Sequence, residues 1–274
     1  THVKTMGRKR RLCFGSLVGV TLLSLLTLVF GIGSPASVAA MGEPTANLFV
    51  RDSLASPAAN LFVTNTQDSG AGSLRQAILD ANSSGVPDAI VFSIPATDPG
   101  CASSVCVIQP LTPLPDITSQ VTIDGATQPG ASRNTLSIGS NAILKVELSG
   151  MRLSNASGLS IRSGGSGSVV RGLMITGFNT TGQAGVLVSD ASNVVVAGSY
   201  LGVDATGRAA RPNWQAIRIL CPGCNDTTNV AGNVVGGTTP ADRNVIAGNT
   251  NAGVYVNGVT GASTVAVQGS YIGV

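Results

Sequence analysis

The chain has 274 residues, which suits one or two domains, and its formal net charge is +3 with only 11% charged residues. The single histidine is His2, so the rest of the chain cannot supply the imidazole of a Ser-His-Asp or Cys-His centre or the ligands of a histidine-type zinc site. Abundant, regularly placed Val, Ile and Leu exclude general disorder, and 35 glycines with 4% aromatic residues indicate a surface of small, uncharged residues.

The N-terminus has the three parts of an export signal. Basic residues at 8–11 follow Met6, a mostly apolar run extends over 17–32, and the small residues of SPASVAA (34–40) suit a signal peptidase. We therefore predict a signal peptide over 1–40 and an extracytoplasmic protein, secreted or at the cell surface. A permanent membrane anchor is the alternative, but the apolar run is marginal in length for one, and no later segment is long and apolar enough to span.

Removal of the predicted signal changes the charge. Five of the 16 basic residues precede residue 41 and all 13 acidic residues follow it, so the mature chain has a net charge of −2. The basic balance of the whole chain is therefore no argument for nucleic-acid binding. We expect no nucleic-acid partner and no membrane span in the mature chain.

The first predicted elements follow in chain order. Residues 41–59, rich in Ala, Ser and Pro, predict a flexible lead-in. DAIVFSI (88–94) and VTIDG (121–125) predict strands. Between the lead-in and these strands, DSGAGSLRQAILDAN (68–82) predicts a short helix with Ser73 as its N-cap. Its apolar face repeats at i, i+3, i+4 and i+7 and consists of Leu74, Ala77, Ile78 and Ala81.

Four cysteines follow the predicted signal in two local pairs, Cys101 with Cys106 and Cys221 with Cys224. An even number in an exported chain predicts disulfides. CPGC (221–224) also resembles a redox CxxC motif, but an Asn- and Thr-rich loop follows it where a helix would be needed. We favour two local disulfides over a redox or metal site.

From about residue 135 the chain consists of short runs rich in Val and Ile, separated by Gly, Asn and Ser. Their length and alternation predict strands and not helices. The runs are LKVELSG (144–150), LMITGF (173–178), GVLVSD (185–190), NVVVAG (193–198), AIRIL (216–220), NVVGG (233–237), NVIAGN (244–249), GVYVNG (253–258) and TVAVQG (264–269).

These runs belong to an internal repeat. ASNVVVAGSYLGV (191–203) aligns with ASTVAVQGSYIGV (262–274) at an offset of 71 residues, and AGVLV (184–188) aligns with AGVYV (252–256) at an offset of 68. Strands that are kept while turns vary are typical of stacked repeats, in which neighbouring strands share hydrogen bonds and one continuous core. We therefore predict an all-β parallel β-helix, a solenoid with two or three rungs in each 71 residues, and not a β-sandwich. DATGRAARPN (204–213) is the predicted protruding loop.

The N-terminal pattern resembles a known module. VTNTQDSGAGSLRQAILDAN (63–82), with DAIVFSIP (88–95) and VTIDG (121–125), is similar to the N-terminal module of exported bacterial proteins that carry a CSLREA-type motif. The core of that motif stands here as GSLRQA (72–77), which departs from it. The resemblance implies a large secreted or cell-surface protein, and it implies no established activity.

The repeats carry the second half of the resemblance. NVVGGTTPADRNVIAGNTNAGVYVNG (233–258) and GSYLGVDATG (198–207) resemble the right-handed β-helix repeats that follow the CSLREA-type module. The resemblance implies a module with a short capping helix over 60–134 and right-handed β-helix repeats over 135–274. The second copy of the hexapeptide ends at residue 274, before the DATG that follows the first, so we expect an incomplete gene product.

The low charge and the absence of clustered catalytic residue types favour a structural or adhesive role. In this interpretation the protein presents a neutral polar face to polysaccharides, cell-surface glycans or other surfaces, without a catalytic site or a cofactor. We expect a monomer or a part of a larger surface protein. A stalk or cap for further domains is compatible with this role.

The alternative is an enzyme, a polysaccharide lyase or a glycoside hydrolase of the β-helix type. Hydrolases need paired carboxylates, whereas lyases of this architecture need Ca²⁺-binding carboxylates with an Arg or Lys base. We therefore expect Ca²⁺ only if the protein is an enzyme. The candidate acidic residues do not occur as adjacent pairs in the sequence, and Asp is common at turns, so the enzyme is the second choice. The candidate residues are Asp190, Asp204 and Asp226, with Arg208, Arg211 or Arg218.

Overall fold

The computed structural model describes residues 59–222, 230–257 and 264–273. These residues fall within the unit Asp52–Val274. The predicted signal peptide, 1–40, and the predicted lead-in up to residue 58 lie outside the described residues, and so do Cys224 and Asp226.

The strands of the described residues form three sheets, which we name by their strand number. The seven-stranded sheet contains β1 (Asn60–Val63), β2 (Asp88–Phe92), β4 (Val121–Asp124), β7 (Val169–Arg171), β10 (Val195–Ala197), β13 (Asn233–Gly236) and β16 (Val265–Gln268). The six-stranded sheet contains β3 (Cys106–Ile108), β5 (Val146–Ser149), β8 (Met174–Thr176), β11 (Tyr200–Leu201), β14 (Val245–Ile246) and β17 (Tyr271–Ile272). The four-stranded sheet contains β6 (Leu159–Ile161), β9 (Ala184–Ser189), β12 (Gln215–Leu220) and β15 (Ala252–Asn257).

From β4 onwards the chain visits the three sheets in turn, in the order seven-stranded, six-stranded, four-stranded. We call one such passage a circuit. Each strand pairs in parallel with the strands of the preceding and following circuits in its own sheet. The predicted all-β class and its parallel strand arrangement are confirmed, and every strand predicted from residue 144 onwards is present.

The 71-residue repeat corresponds to two circuits. Val195 pairs with Val234, and Val234 pairs with Ala266, which lies 71 residues after Val195. Tyr200 and Tyr271 are likewise separated by a single intervening strand of the six-stranded sheet. The 71-residue repeat, for which the sequence left two or three rungs open, therefore holds two circuits, with two strands in each sheet.

Strand alternation explains the core. Each strand points one side chain inward and the next outward, and the register places the inward residues of successive circuits over one another. In the seven-stranded sheet this produces a buried column of β-branched side chains, in which each member is at most 2% exposed. The column consists of Ile90, Ile123, Val170, Val196 and Val235.

The helix α1 (Leu74–Ser84) packs against β1 and β2. Its N-cap is Ser73, whose Oγ accepts a hydrogen bond from the Gln76 N–H at 3.2 Å, and it ends at Gly85 with φ +72°. The buried residues of α1 are the four predicted from the apolar periodicity, so this helix is confirmed. None of the helices in the described part of the chain has the length and apolar character that crossing a membrane requires.

Cys101 and Cys106 form the first predicted disulfide, just before and at the start of β3. The bond closes the short turn that precedes β3. The second predicted pair, Cys221 with Cys224, stays a prediction because Cys224 lies outside the described residues.

Candidate functional site

The outer face of the six-stranded sheet carries a row of side chains, one from each strand. Leu148, Ile175 and Leu201 point inward and belong to the main core, so the residues that alternate with them point outward. The register aligns Val107, Glu147, Met174, Tyr200, Val245 and Tyr271. The one charged residue of this row is Glu147.

One end of the row is covered by residues 133–144, a segment between β4 and β5 that we call the strap. Ser140 Oγ lies 2.9 Å from the hydroxyl oxygen of Tyr200. The N–H of Gly139 donates to the hydroxyl oxygen of Tyr271 at 2.7 Å. The strap therefore closes the row over its two tyrosines, and the open part of the outer face lies at the other end.

Arg243 anchors the strap. Its Nη1 donates to the carbonyl oxygens of Leu136 and Gly139, and its Nη2 donates to that of Ser137, each at 2.8 Å. The guanidinium carbon also lies 5.1 Å from the centre of the Tyr271 ring. A single side chain thus binds three backbone carbonyls within residues 136–139 of the strap.

The predicted protruding loop, residues 204–213, forms the wall beside the open part of the row. Oδ1 of Asp204 accepts hydrogen bonds from the hydroxyl of Thr206 at 2.7 Å and from the backbone N–H groups of Thr206, Arg208 and Ala209 at 3.2 Å. Burial opposes ionisation of Asp204, but these hydrogen bonds outweigh it and lower the pKa of its carboxyl. The loop is therefore organised around a carboxylate that stays ionised at neutral pH.

Two adjoining cavities, which we call the cleft, lie between this loop and the sheet. The first has a volume of about 400 Å³, with Met151, Asn179 and Pro212 among its lining residues. The second has a volume of about 270 Å³ and is lined by Glu147 and Asp204 among others. Arg211 lines both cavities and is the lining residue that they share.

Glu147 forms the floor of the second cavity. Its side chain is 7% exposed, and its Oε1 accepts a hydrogen bond from the Thr176 hydroxyl at 2.6 Å. Nη1 of Arg211 lies 3.6 Å from the same oxygen. The cleft therefore offers carboxylate acceptors on its floor and wall, one guanidinium, and apolar surface at Met151 and Pro212.

The structure separates the candidate residues of the enzyme alternative. Asp204 and Arg211 line the cleft. Asp190 lies at a corner after β9 with φ +58° and accepts a hydrogen bond from its neighbour Ser189. Arg218 lies in β12, with Nη1 donating to the Gly182 carbonyl and the guanidinium 5.7 Å from the Tyr255 ring centre. Neither Asp190 nor Arg218 lines the cleft.

Two further candidates complete the set. Arg208 belongs to the same loop as Asp204, but it lines neither cavity of the cleft. Asp226 lies outside the described residues. Glu147, which was not among the residues predicted from the sequence, lines the second cavity together with Asp204. The sequence does contain an indication of its role. Glu147 is the one acidic residue in the apolar run LKVELSG, and it stands between Val146 and Leu148, whose side chains point inward.

Within the described residues, no group of three or more His, Cys, Asp and Glu side chains could hold a metal ion. No protein-family model matches the chain, and no similar curated protein or solved structure was found.

Proposed function

We propose that the chain is an exported, surface-exposed, right-handed parallel β-helix with a CSLREA-like N-terminal module. The parallel strands and the repeated circuits support the β-helix, and the right hand is the one that parallel crossover connections adopt in nearly all proteins. The disulfide between Cys101 and Cys106 is compatible with export, because disulfides persist in oxidising compartments. In this proposal α1 covers the first circuit, as terminal caps of solenoids do.

The function that we propose is adhesive: the protein binds polysaccharides or cell-surface glycans in the cleft. The observation that carries the proposal is the combination of buried Glu147, ionised Asp204 and apolar Met151 along one open surface. A sugar ring offers hydroxyl donors to carboxylate acceptors and C–H groups to apolar side chains. Hydrogen bonds to charged acceptors are about twice as strong as neutral ones, so a few of them suffice for recognition.

Binding of the purified exported chain to a broad glycan array tests this function. We expect at least one polysaccharide to bind, and the substitution Glu147→Gln to weaken that binding about tenfold, since a hydrogen bond to a charged group contributes about 1.5–3 kcal/mol. Gln keeps the volume of the side chain and an acceptor for Thr176. Absence of binding across the array would contradict the proposal.

Asp190→Asn is the matched control for this experiment. It also converts one carboxylate to an amide, but Asp190 does not line the cleft, and Asn readily adopts the left-handed conformation found there. We expect unchanged affinity for this variant. Equal losses in both variants would indicate a general charge effect and not recognition in the cleft.

One observation favours a second function, a glycoside hydrolase. Glu147 and Asp204 line the same cavity, and glycoside hydrolysis uses two carboxyl groups on either side of the scissile bond. Release of new reducing ends from a polysaccharide panel, abolished by Asp204→Asn in a folded variant, would support it. A panel without new reducing ends would exclude hydrolysis of those glycans and leave adhesion as the proposal.

A further inference from the structure

The inference concerns Arg211, which lies where the two cavities of the cleft meet. Among the residues that line these cavities it is the one cation. Its side chain is 52% exposed, and its backbone is held in place because the Arg211 N–H donates to the Gly202 carbonyl at 2.8 Å. The backbone of Arg211 therefore has a fixed place beside the cleft, and its guanidinium reaches to 3.6 Å from Glu147 Oε1.

The donors of this guanidinium are available. Within the described residues its nitrogens make no hydrogen bond to protein, and the 3.6 Å separation from Glu147 Oε1 is longer than a hydrogen bond. Glu147 is the ion-pair partner of Arg211 and accepts a hydrogen bond from Thr176, while the loop itself donates to Asp204. An Arg side chain has five N–H donors in a planar fork, so the ion pair with Glu147 leaves donors of Arg211 for a ligand.

We propose that Arg211 binds a ring carboxylate of the ligand, so that the cleft selects polysaccharides that contain uronic acids. This inference rests on the proposed glycan binding and specifies its ligand class. The planar fork of Arg matches a carboxylate with two parallel hydrogen bonds. A uronate chain also carries the hydroxyl donors that Glu147 and Asp204 accept, which a small inorganic anion does not.

Neutral and sulfated glycans fit the same site less well. A neutral chain offers the fork of Arg211 no carboxylate, so the bidentate charged pair does not form. A sulfate ester spreads its single charge over three oxygens, so each hydrogen bond to the fork is weaker than one to a carboxylate oxygen. The uronate polymer is therefore expected to bind more tightly than either the neutral or the sulfated polymer.

The experiment measures binding of the exported chain and its variants to three kinds of polymer: a polyuronate, its neutral counterpart with a hydroxymethyl group in place of the carboxylate, and a sulfated polysaccharide. Arg211→Gln is expected to weaken polyuronate binding at least about tenfold, because it removes a charge-assisted bidentate pair. It is expected to weaken neutral-polymer binding less than polyuronate binding, because no charge-assisted pair with the ligand is lost there. Arg211→Lys keeps the charge but not the fork, and it should recover only part of the affinity.

Arg208→Gln is the matched control. It removes the same charge from the same loop, but Arg208 does not line the cleft, so polyuronate binding should stay unchanged. Equal losses in the two variants, or full recovery by Arg211→Lys, would reduce the effect to overall charge and overturn the inference. Preference for the neutral or sulfated polymer would overturn it while leaving glycan binding in place. Absence of binding to all three polymers overturns the inference, and the proposed function falls with it if the broad array is also negative.

Discussion

The side-chain amide of Asn213 donates to Oδ1 of Asn249 at 3.1 Å, which joins equivalent corners of two successive circuits. The same amide also donates to the Ile175 carbonyl at 2.9 Å, and Oδ1 of Asn213 accepts from the Phe178 N–H at 3.1 Å. Asn213 is fully buried. One side chain therefore satisfies backbone groups of the circuit before it and a side chain of the circuit after it.

Replacement of Asn213 by Ala should lower the free energy of unfolding by about 1–3 kcal/mol. The substitution leaves the buried Phe178 N–H without its acceptor, and one unsatisfied group costs about that much. The Ile175 carbonyl keeps the hydrogen bond from the Gly202 N–H. Urea unfolding followed by circular dichroism measures the change. Asn257→Ala is the control, because Asn257 is exposed and its amide bonds only to the Tyr255 hydroxyl; a shift within about 0.5 kcal/mol is expected there.

The ion pair of Asp68 with Arg75 should make stability depend on pH. Burial disfavours the charged form of Asp68. Hydrogen bonds from the Arg75 side chain and from the N–H groups of Leu111 and Thr112 favour it, and so does the positive charge of Arg75. Together these contacts outweigh burial and lower the pKa of Asp68 below 3.8. A lowered folded-state pKa contributes stability above the unfolded value. This contribution is lost as the pH falls through the folded-state value.

Asp68→Asn should therefore destabilise the protein by about 1 kcal/mol at pH 7, the size expected for a mostly buried charged hydrogen bond discounted for its remaining solvent exposure. The difference from the unsubstituted chain should shrink as the pH falls below 3.8 and through the lowered folded-state pKa of Asp68. Urea unfolding at pH 7 and pH 3 gives both values. Asp80→Asn, on the exposed side of α1, should show no comparable loss at pH 7. A difference for Asp68→Asn that does not depend on pH would contradict the assignment.

Arg243→Gln should release the strap without unfolding the sheets. The substitution removes the three hydrogen bonds to the carbonyls of Leu136, Ser137 and Gly139, each of which contributes about 1 kcal/mol. Amide hydrogen exchange at Gly139 should accelerate at least about tenfold, because local opening becomes easier. Exchange in β10 is the internal control and should not change. Unchanged exchange at Gly139 would show that the strap does not depend on Arg243.

Asp204→Ala should loosen the loop beside the cleft. Four hydrogen bonds to Oδ1 hold this loop, and Arg208 is exposed within it. Cleavage by trypsin after Arg208 should become about five- to tenfold faster, since proteolysis follows the population of the open loop. Mass spectrometry of a time course identifies the cut. Asp190→Asn, which leaves the loop intact, should be cleaved at the original rate.

Local patterns predicted the elements that have strong local signals. α1 was predicted because a cap and an apolar face of four residues occur together. Nine of the strands beyond residue 144 were predicted from short apolar runs that alternate with small or polar residues. β3, β6 and β7 were missed. Each has three residues, the same length as the predicted strand β8, so length alone does not distinguish them. Their formation depends on parallel partners in other circuits, which a local pattern does not contain.

The candidate site was harder to predict because its parts are far apart in the chain. The loop around Asp204 was predicted to protrude, and it does form one wall of the cleft. The loop lies near Glu147 because the six-stranded sheet places β5, which contains Glu147, and β11, which precedes the loop, on either side of β8. The strap lies over Tyr200 and Tyr271 through contacts of Arg243 that span more than a hundred residues, as the Arg243–Leu136 separation of 107 shows. No sequence period reports such contacts.

The unequal lengths of the circuits have a consequence for how such a molecule can change. Tyr200 pairs with Val245 after 45 residues, and Val245 pairs with Tyr271 after only 26, yet both pairs keep the same place in the ladder. The register of the paired strands is thus constant, and the connections between strands account for all of the difference in length. A connection can be lengthened, shortened or exchanged while the strands keep their register. The wall of the cleft that contains Arg211 is one of these connections, so grafting another loop should change the proposed ligand preference independently of the folding of the sheets.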